Sequence, residues 1–219
     1  GPHDRGRAVR AGQVRDGRAG CFARQARKSG QVMFLRRTVP AASLPLSVRD
    51  AKDHLRVTDS RDDYLVEGYL RAALEAVGEM SGRVLAAETW AMSAASASGD
   101  VPLPKCPVIS LTSIEYFDAN ETAQTANVAD FYLFKDDDKA FLRPKAGKSW
   151  PTTASREDAI TITFTVGYST LPHGLKSAVL LMLGHLYENR EGVADGGKTA
   201  IPLGVESLVN LHRIGWVAA

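Results

Sequence analysis

An almost wholly apolar segment, Leu175–Tyr187, constrains the fold of this chain more than any other part of its sequence. Pro172 stands next to the start of the segment, where a helix loses nothing through the missing N–H of proline. In a helix, the apolar residues of this segment would cover most of its surface. Leu175, Val179, Met182, Leu183 and Leu186 lie on one side, and Ala178, Leu180 and Leu181 cover most of the rest. A helix that is apolar all round is buried, so we expect this one in the middle of a helical bundle.

A second apolar strip follows this helix at a distance. The charged cluster Glu188–Glu191 ends the helix, and residues 191–198, which include three glycines, predict a hinge. Residues 201–211 then form a short amphipathic tail. The chain can bury this tail only against something that lies across the hinge. Its own body and another subunit both remain open as that partner.

The composition excludes a membrane-spanning protein and a disulfide-stabilised one. The chain of 219 residues is 44% hydrophobic and 24% charged, which is ordinary for a soluble globular protein with one large core or two small ones. Its longest unbroken apolar run, Ala178–Leu183, is far shorter than the roughly 18 residues of a membrane span. Cys21 and Cys106 have neither the number nor the spacing of a disulfide framework or a metal site, which indicates a reducing, cytosolic origin.

The formal net charge of +2 conceals a strong asymmetry. Residues 1–37 carry ten Arg and Lys against two Asp, and the remaining residues carry 17 basic against 23 acidic side chains. The chain therefore has a basic N-terminal arm on an acidic body, and its pI near 8.6 is no evidence for a basic DNA-binding surface on the fold. Residues 1–32 lack apolar periodicity and are predicted to be disordered. A transit peptide and a natural start at Met33 both remain open for them.

Two helices are predicted before the middle of the chain. Ser47 and Asp50 have the spacing of a capping box at the start of a helix over Val48–Val57. A second helix, Arg61–Ser81, is predicted to stop at Gly82. The apolar stripe that we expect it to bury consists of Leu65, Tyr69, Ala72, Ala76 and Met80, widened by Leu70, Ala73 and Val77.

The middle of the chain changes to the period of β-strands. Residues 101–107 contain three prolines and indicate an extended connector. The predicted strands are Glu88–Ala97, Val108–Phe117, Phe131–Phe134, Ala140–Pro144 and Ile160–Tyr168. The sequence therefore predicts an α+β fold: a helical bundle with an inserted small antiparallel β-sheet and a detached C-terminal helical tail. The expected divisions are an arm (1–43), a body (44–200) and a tail (201–219).

No catalytic, cofactor-binding or metal-binding residue is predicted. His54, His185 and His212 are scattered and lack a second ligand at helical spacing. The run Asp136–Asp138 lacks the spaced ligands of a calcium loop and indicates a solvated turn between strands. Gly147-Lys148-Ser149 lacks the upstream glycine of a phosphate-binding loop.

Short motifs follow one another along most of the chain in a fixed order. They are residues 46–57, the Asp62/Asp63-led helix that ends at Glu79-Met80-Ser81-Gly82-Arg83, residues 103–110, 114–118 and 166–168, Leu171-Pro172 with Leu175-Lys176, residues 187–191, and Ile201-Pro202-Leu203-Gly204-Val205. This ordered series resembles the head–tail connector, or adaptor, proteins of long-tailed bacteriophages and gene transfer agents. The resemblance covers about residues 44–215, and the order of the motifs is more specific than any one of them.

The resemblance implies a structural role without enzyme activity. Such adaptors form a ring below the portal, extend the DNA channel and connect the capsid to the stopper or tail. The resemblance therefore implies a dodecamer that matches the portal, passage of DNA without sequence-specific binding, and a place in the neck of a virion or gene transfer agent particle assembled in the bacterial cytoplasm. The portal contact would be made by Ile201, Leu203, Val205, Leu208, Leu211, Ile214 and Trp216.

Two other functions remain open from the residues. The chain could be a stand-alone intracellular enzyme or small-ligand-binding protein with a pocket between bundle and sheet. It could also be a DNA-binding regulator that uses the basic arm, although no recognition helix or zinc knuckle accompanies that arm.

Overall fold

The computed structural model describes residues 33–189 and 202–214, and this part of the chain contains four α-helices and two antiparallel sheets. The predicted combination of helices with antiparallel β-structure is therefore confirmed. The helices are α1 (Val48–Leu55), α2 (Asp63–Ser81), α3 (His173–Glu188) and α4 (Leu203–His212). The strands are β1 (Met33–Val39), β2 (Glu88–Ala94), β3 (Val101–Pro102), β4 (Val108–Phe117), β5 (Ala123–Ala126), β6 (Phe131–Lys135), β7 (Ala140–Pro144) and β8 (Ile160–Val166). The predicted disordered segment 1–32 and the whole of the predicted hinge, residues 191–198, lie outside the described residues.

The ends of the first two helices follow the capping residues in the sequence. The backbone N–H of Asp50 donates to Ser47 Oγ over 3.0 Å, and the Asp50 side chain accepts from the Ser47 N–H over 3.2 Å. This is the predicted capping box, and α1 ends two residues earlier than expected because Arg56 takes a left-handed conformation. Helix α2 ends before Gly82, as predicted, and the φ of Gly82 is 72°.

Helices α2, α3 and α4 bury one shared apolar core. Its centre contains Leu70, Val77, Leu175, Leu183 and Val205, each with 0% of its surface exposed. The predicted position of α3 in the middle of the helices is consistent with this core. None of the described helices is long and apolar enough to cross a membrane.

The buried stripe of α2 corrects the sequence-based expectation. The predicted stripe began at Leu65, but that side chain is 36% exposed and Ala72 is also exposed. The apolar side chains that α2 buries are Val66, Leu70, Ala73, Leu74 and Val77, so the three residues expected to widen the stripe are buried as predicted. The stripe is displaced by about one residue because α3 and α4 both pack on this side of α2. Tyr69, Ala76 and Met80 lie at its margin and are partly buried.

The larger sheet has five strands in the order β1-β2-β8-β4-β5, each antiparallel to its neighbours. Its central strand β8 alternates four buried residues, Ile160, Ile162, Phe164 and Val166, with half-buried threonines. A smaller sheet with the order β3-β7-β6 shares a second apolar core with it. The sequence predicted one small sheet, whereas the structure has two, and they share a core that is separate from the core of the helices.

Three strands were not predicted, and each has a weak apolar pattern. β3 has two residues within the proline-containing connector, and β5 consists of Ala-Gln-Thr-Ala. β1 contains two arginines and pairs with β2 from residue 33 onward, whereas the body was expected to begin at residue 44. The predicted bounds of β4 and β7 agree with the structure.

Gly167 occupies a position between β8 and α3 that no other residue fits. Its φ is 118°, and a Cβ there would lie 2.2 Å from the carbonyl oxygen of Ala86. Its own N–H donates to the carbonyl oxygen of Pro107 over 2.9 Å. The larger sheet thus leads into α3 through a backbone crossing that leaves no room for a side chain.

Replacing this glycine is expected to destabilise the fold strongly. Gly167→Ala should lower the free energy of unfolding by about 3 kcal/mol or more, because it adds steric overlap to an unfavourable φ. Gly68→Ala is the matched control, since no atom lies within 4 Å of a Cβ at that helical position. It should leave stability unchanged or raise it by up to about 1 kcal/mol. Urea titrations of both variants measure the difference, and equal midpoints would contradict this account.

Candidate functional site

The described part of the C-terminal tail is a docked helix. Val205 and Val209 of α4 are 0% and 1% exposed and belong to the core shared with α2 and α3. Gly174 permits the close approach of α4 to α3, because a Cβ there would lie 2.5 Å from His212 Nε2. The expected detached tail is corrected accordingly: in this chain α4 packs against its own body.

The opposite side of α4 presents large apolar side chains to solvent. Leu203 is 81% exposed and Leu211 is 79% exposed. Leu181 of α3, which is 40% exposed, continues this surface at the start of α4, since its Cδ1 lies 3.6 Å from the Cβ position of Gly204. Leu203 and Leu211 therefore form an exposed apolar surface on α4, and none of the described residues covers it. We call Leu203 and Leu211 the outer leucines.

Five of the seven residues predicted to contact a portal lie in the described part of the chain, and they separate into three groups. Leu203 and Leu211 are exposed, Leu208 and Ile214 are half-buried, and Val205 is fully buried. Ile201 and Trp216 lie outside the described residues.

A buried arginine holds the end of α4 in place. The Arg83 side chain is 6% exposed, and its Nε donates to the carbonyl oxygen of His212 over 2.5 Å. Its Nη1 donates to the carbonyl oxygen of Asp137 over 2.5 Å and to Tyr168 Oη over 3.1 Å. Its Nη2 forms an ion pair with Asp138. Three separate segments of the chain thus meet at one guanidinium.

The local backbone explains how Arg83 reaches this position. Gly82 turns the chain at the end of α2, and the Arg83 N–H donates back to the carbonyl oxygen of Gly78 over 3.0 Å. The carbonyl oxygen of Ser81 accepts a hydrogen bond from the N–H of Ile214 over 3.1 Å, which ties the residues after α4 to the same corner. The carbonyl groups at a helix C-terminus lack partners within the helix and favour a nearby cation, and Arg83 supplies one to α4.

The turn between β6 and β7 forms the other side of this site. Hydrogen bonds from the backbone N–H groups of Asp138 and Lys139 hold the pKa of Asp136 below its ordinary value. Burial raises the pKa of Tyr168, and the Arg83 guanidinium opposes that rise. The expected turn at residues 136–138 is present, but Asp138 binds Arg83 instead of serving only as a solvated residue.

The described residues contain no cluster of three or more His, Cys, Asp and Glu side chains that could hold a metal ion. Burial raises the pKa of Cys106 to about 11, so this thiol stays protonated at neutral pH and is a poor nucleophile. What the described residues of the site do show is packing of α4 on the helical core and hydrogen bonding around Arg83.

Sequence reasoning did not assign Arg83 a role. The one local signal is a basic residue directly after the glycine that ends α2. Its partners are between 54 and 129 residues away, so no local pattern indicates them.

Removal of the guanidinium is expected to loosen α4. Arg83→Met should lower the free energy of unfolding by about 3 kcal/mol, because buried polar partners lose a charged donor. Backbone amides of α4 should exchange with solvent faster relative to those of α2. Arg49→Met, which removes an arginine that is 91% exposed, should change stability by less than about 0.5 kcal/mol. Hydrogen exchange followed by mass spectrometry tests this, and unchanged protection of α4 in Arg83→Met would refute the anchoring role.

The family model that matches this chain is described as phage gp6-like head-tail connector protein, and it matches residues 45–140. No curated protein sequence matches the chain. Solved structures cover more of it. The neck of an empty gene transfer agent particle with C6 symmetry contains a chain that is 25% identical, with a TM-score of 0.68, over 84% of this chain and 97% of that chain.

Two further structures agree with that match. A chain in the virion of a native gene transfer agent particle is 26% identical, with a TM-score of 0.67 and the same coverage of 84% and 97%. A chain in the neck of a native particle with C12 symmetry is 24% identical, with a TM-score of 0.66 over 84% of this chain and 97% of that chain, and it shows the fold. The matched neck proteins are structural proteins and not enzymes, as expected here. The predicted resemblance to the head–tail connector proteins of phages and gene transfer agents is therefore confirmed.

Proposed function

We propose that this chain is a structural head–tail adaptor that forms a ring below the portal of a phage or gene transfer agent particle. In that position it extends the DNA channel and connects the capsid to the stopper or tail. The observation that carries the proposal is the match to 97% of a neck chain of a gene transfer agent particle, which leaves almost none of that chain unaligned.

The symmetry of the matched neck supports a ring. A neck with C6 symmetry holds its subunits in multiples of six, and the proposed dodecamer is one such multiple. Closed cyclic symmetry also lets every copy present the same surface to a partner along the ring axis.

The outer leucines are the proposed centre of the portal contact. Leu203 and Leu211 lie on the side of α4 that the body leaves uncovered, whereas Val205 and Val209 fasten the helix to the core. An amphipathic helix that keeps one face on its own domain can lay the other into an apolar groove of a partner. Ile201, Ile214 and Trp216, which flank α4 in the sequence, are proposed to extend this contact.

Ring formation and portal contact reinforce one another. Two leucines per copy bury little area, so a single contact is weak. A ring presents all of its outer leucines together, and the effective concentration of the remaining contacts rises once the first has formed. Arg83 contributes by fixing the orientation of α4, which must be the same in every copy for the contacts to form together.

DNA is proposed to pass through the ring without sequence-specific binding. Residues 38–219 carry more acidic than basic side chains, so the body neutralises few phosphates. Because the channel wall would bind the duplex weakly, the genome could move through the channel. The proposed location is the particle neck, after assembly in the bacterial cytoplasm.

Charged residues in place of the outer leucines are expected to prevent assembly on the portal without unfolding the protein. Leu203→Asp/Leu211→Asp should lower the yield of rings on purified portal of the same particle by about a hundredfold, because a desolvated carboxylate opposes each contact. Negative-stain electron microscopy of the mixture measures that yield.

Tyr64→Asp is the matched control, because that side chain is 90% exposed on α2 and lies outside the proposed surface. It should assemble as the unchanged protein does. The thermal unfolding curves of all three proteins should coincide within a few degrees. Full assembly of the double variant would show that α4 does not bind the portal, and an unchanged protein that forms no rings on portal would overturn the proposed function itself.

A further inference from the structure

The five-stranded sheet ends in two edges that the described chain leaves free. β1 and β5 are the outermost strands, and each pairs with one neighbour only. The four residues of β5 are uncharged and small or medium-sized, and three of them are exposed. β5 contains neither proline nor the charged side chains that often protect an exposed edge, and the charges on β1 are Arg36 and Arg37. Both edges therefore present unpaired backbone groups that another strand can use.

The two edges carry opposite charge. β1 contains Arg36 and Arg37 and no acidic residue. Arg37 forms an ion pair with Glu88 of β2 over 3.1 Å, so Arg36 is the arginine that β1 offers to another copy. Residues 115–126, which include β5 and the turn before it, contain Glu115, Asp118 and Glu121 and no basic residue. A second copy of this chain therefore offers each edge a partner of complementary charge.

The strand register places Arg36 and Glu115 on the same face of the sheet. Arg36 lies opposite Ala91, Ala91 opposite Thr163, and Thr163 opposite Ser113. Residues directly opposite one another share a face, and residues two apart on one strand do so as well, so Glu115 lies on the face of Ser113. Both Arg36 and Glu115 are exposed at opposite ends of this face.

We propose that β1 of one copy lies along β5 of the next copy, so that the five-stranded sheets continue from subunit to subunit around the ring. This inference rests on the proposed ring. A ring contact must join two different surfaces of the same protein, and the two ends of one sheet meet that requirement.

The strand directions are compatible with this arrangement. Four antiparallel steps separate β1 from β5, so the two strands run in the same direction and their pairing between copies is parallel. A rotation about an axis along the strands preserves that direction from copy to copy. Backbone hydrogen bonds along the edges supply affinity, as in other cases of strand addition.

The charges then set which edges pair. Glu115 lies one strand inside the acidic edge, opposite Thr125 of β5. Arg36 of the neighbouring copy would be two strand spacings away, about 10 Å between backbones. The long arginine side chain can cross Thr125 to reach the carboxylate, and β1–β1 pairing would instead bring like charges together.

Charge reversal on the two edges tests this pairing. Arg36→Glu and Glu115→Lys should each lower ring yield on purified portal about tenfold or more, because each places like charges at every junction. A 1:1 mixture of the two variants should restore the yield. In an alternating ring, the two substituted positions, one now acidic and the other now basic, face each other at one junction. The unchanged Arg36 faces the unchanged Glu115 at the next.

Controls separate this contact from folding and from the proposed function. Arg49→Glu changes a side chain that is 91% exposed on α1 and should assemble normally. If a charge reversal lowers the unfolding temperature, the neutral variants Arg36→Gln and Glu115→Gln are used in its place. Because these variants lack the charge pair, their ring yields should depend less on salt concentration than the yield of the unchanged protein. Rings from each single reversal at full yield, or no rescue by mixing, would overturn the edge pairing while the proposed function stands. Failure of the unchanged protein to form rings would instead remove the proposed function.

Discussion

The Arg83 guanidinium is the contact on which the arrangement of the described parts depends. A buried charge is tolerated only when nearly all of its donors are satisfied, and Arg83 uses the end of α4, the β6–β7 turn and Tyr168 to achieve this. A shift of any of these partners would take an acceptor away from a guanidinium that is only 6% exposed, although Asp138 itself is 54% exposed. The corner that Gly82 turns therefore sets the position of a helix 120 and more residues later in the chain.

This anchoring gives the two sides of α4 different roles. Val205 and Val209 are apolar because they complete the core with α2 and α3, and Leu203 and Leu211 are apolar although nothing in the described chain covers them. Hydrophobicity alone does not distinguish these pairs, since both fit a helical period. The sequence therefore predicted a tail with an apolar strip. Which side of that strip packs on the body became clear only from the contacts of α4 in the structure. The structure places one side of the helix on the body and leaves the other exposed.

Most of the fold was predictable wherever local chemistry decided it. The capping box at Ser47 and Asp50, the glycine that ends α2, and the alternation in β4 gave the correct element and at least one correct end. The apolar stripe of α2 was displaced because its burial depends on where two later helices pack. β1 and β5 were missed because an edge strand buries little and carries a weak apolar alternation. Arg83 was missed for a related reason: its role consists of partners that no spacing in the sequence brings together.

Two features that escaped sequence prediction, the edge strands β1 and β5, are also those on which the proposed ring would act. An apolar residue that packs within the chain leaves a periodic pattern, because folding buries it at a fixed spacing. A strand edge or a charge whose partner is another copy is under no such constraint. Leu203 and Leu211 differ from these edges, because the resemblance implied their contact from the sequence. Each such contact would be weak alone, so we expect isolated copies to remain separate. In a closed ring the same contacts repeat at every junction and along the axis, and their combined free energy is what a neck needs to hold together.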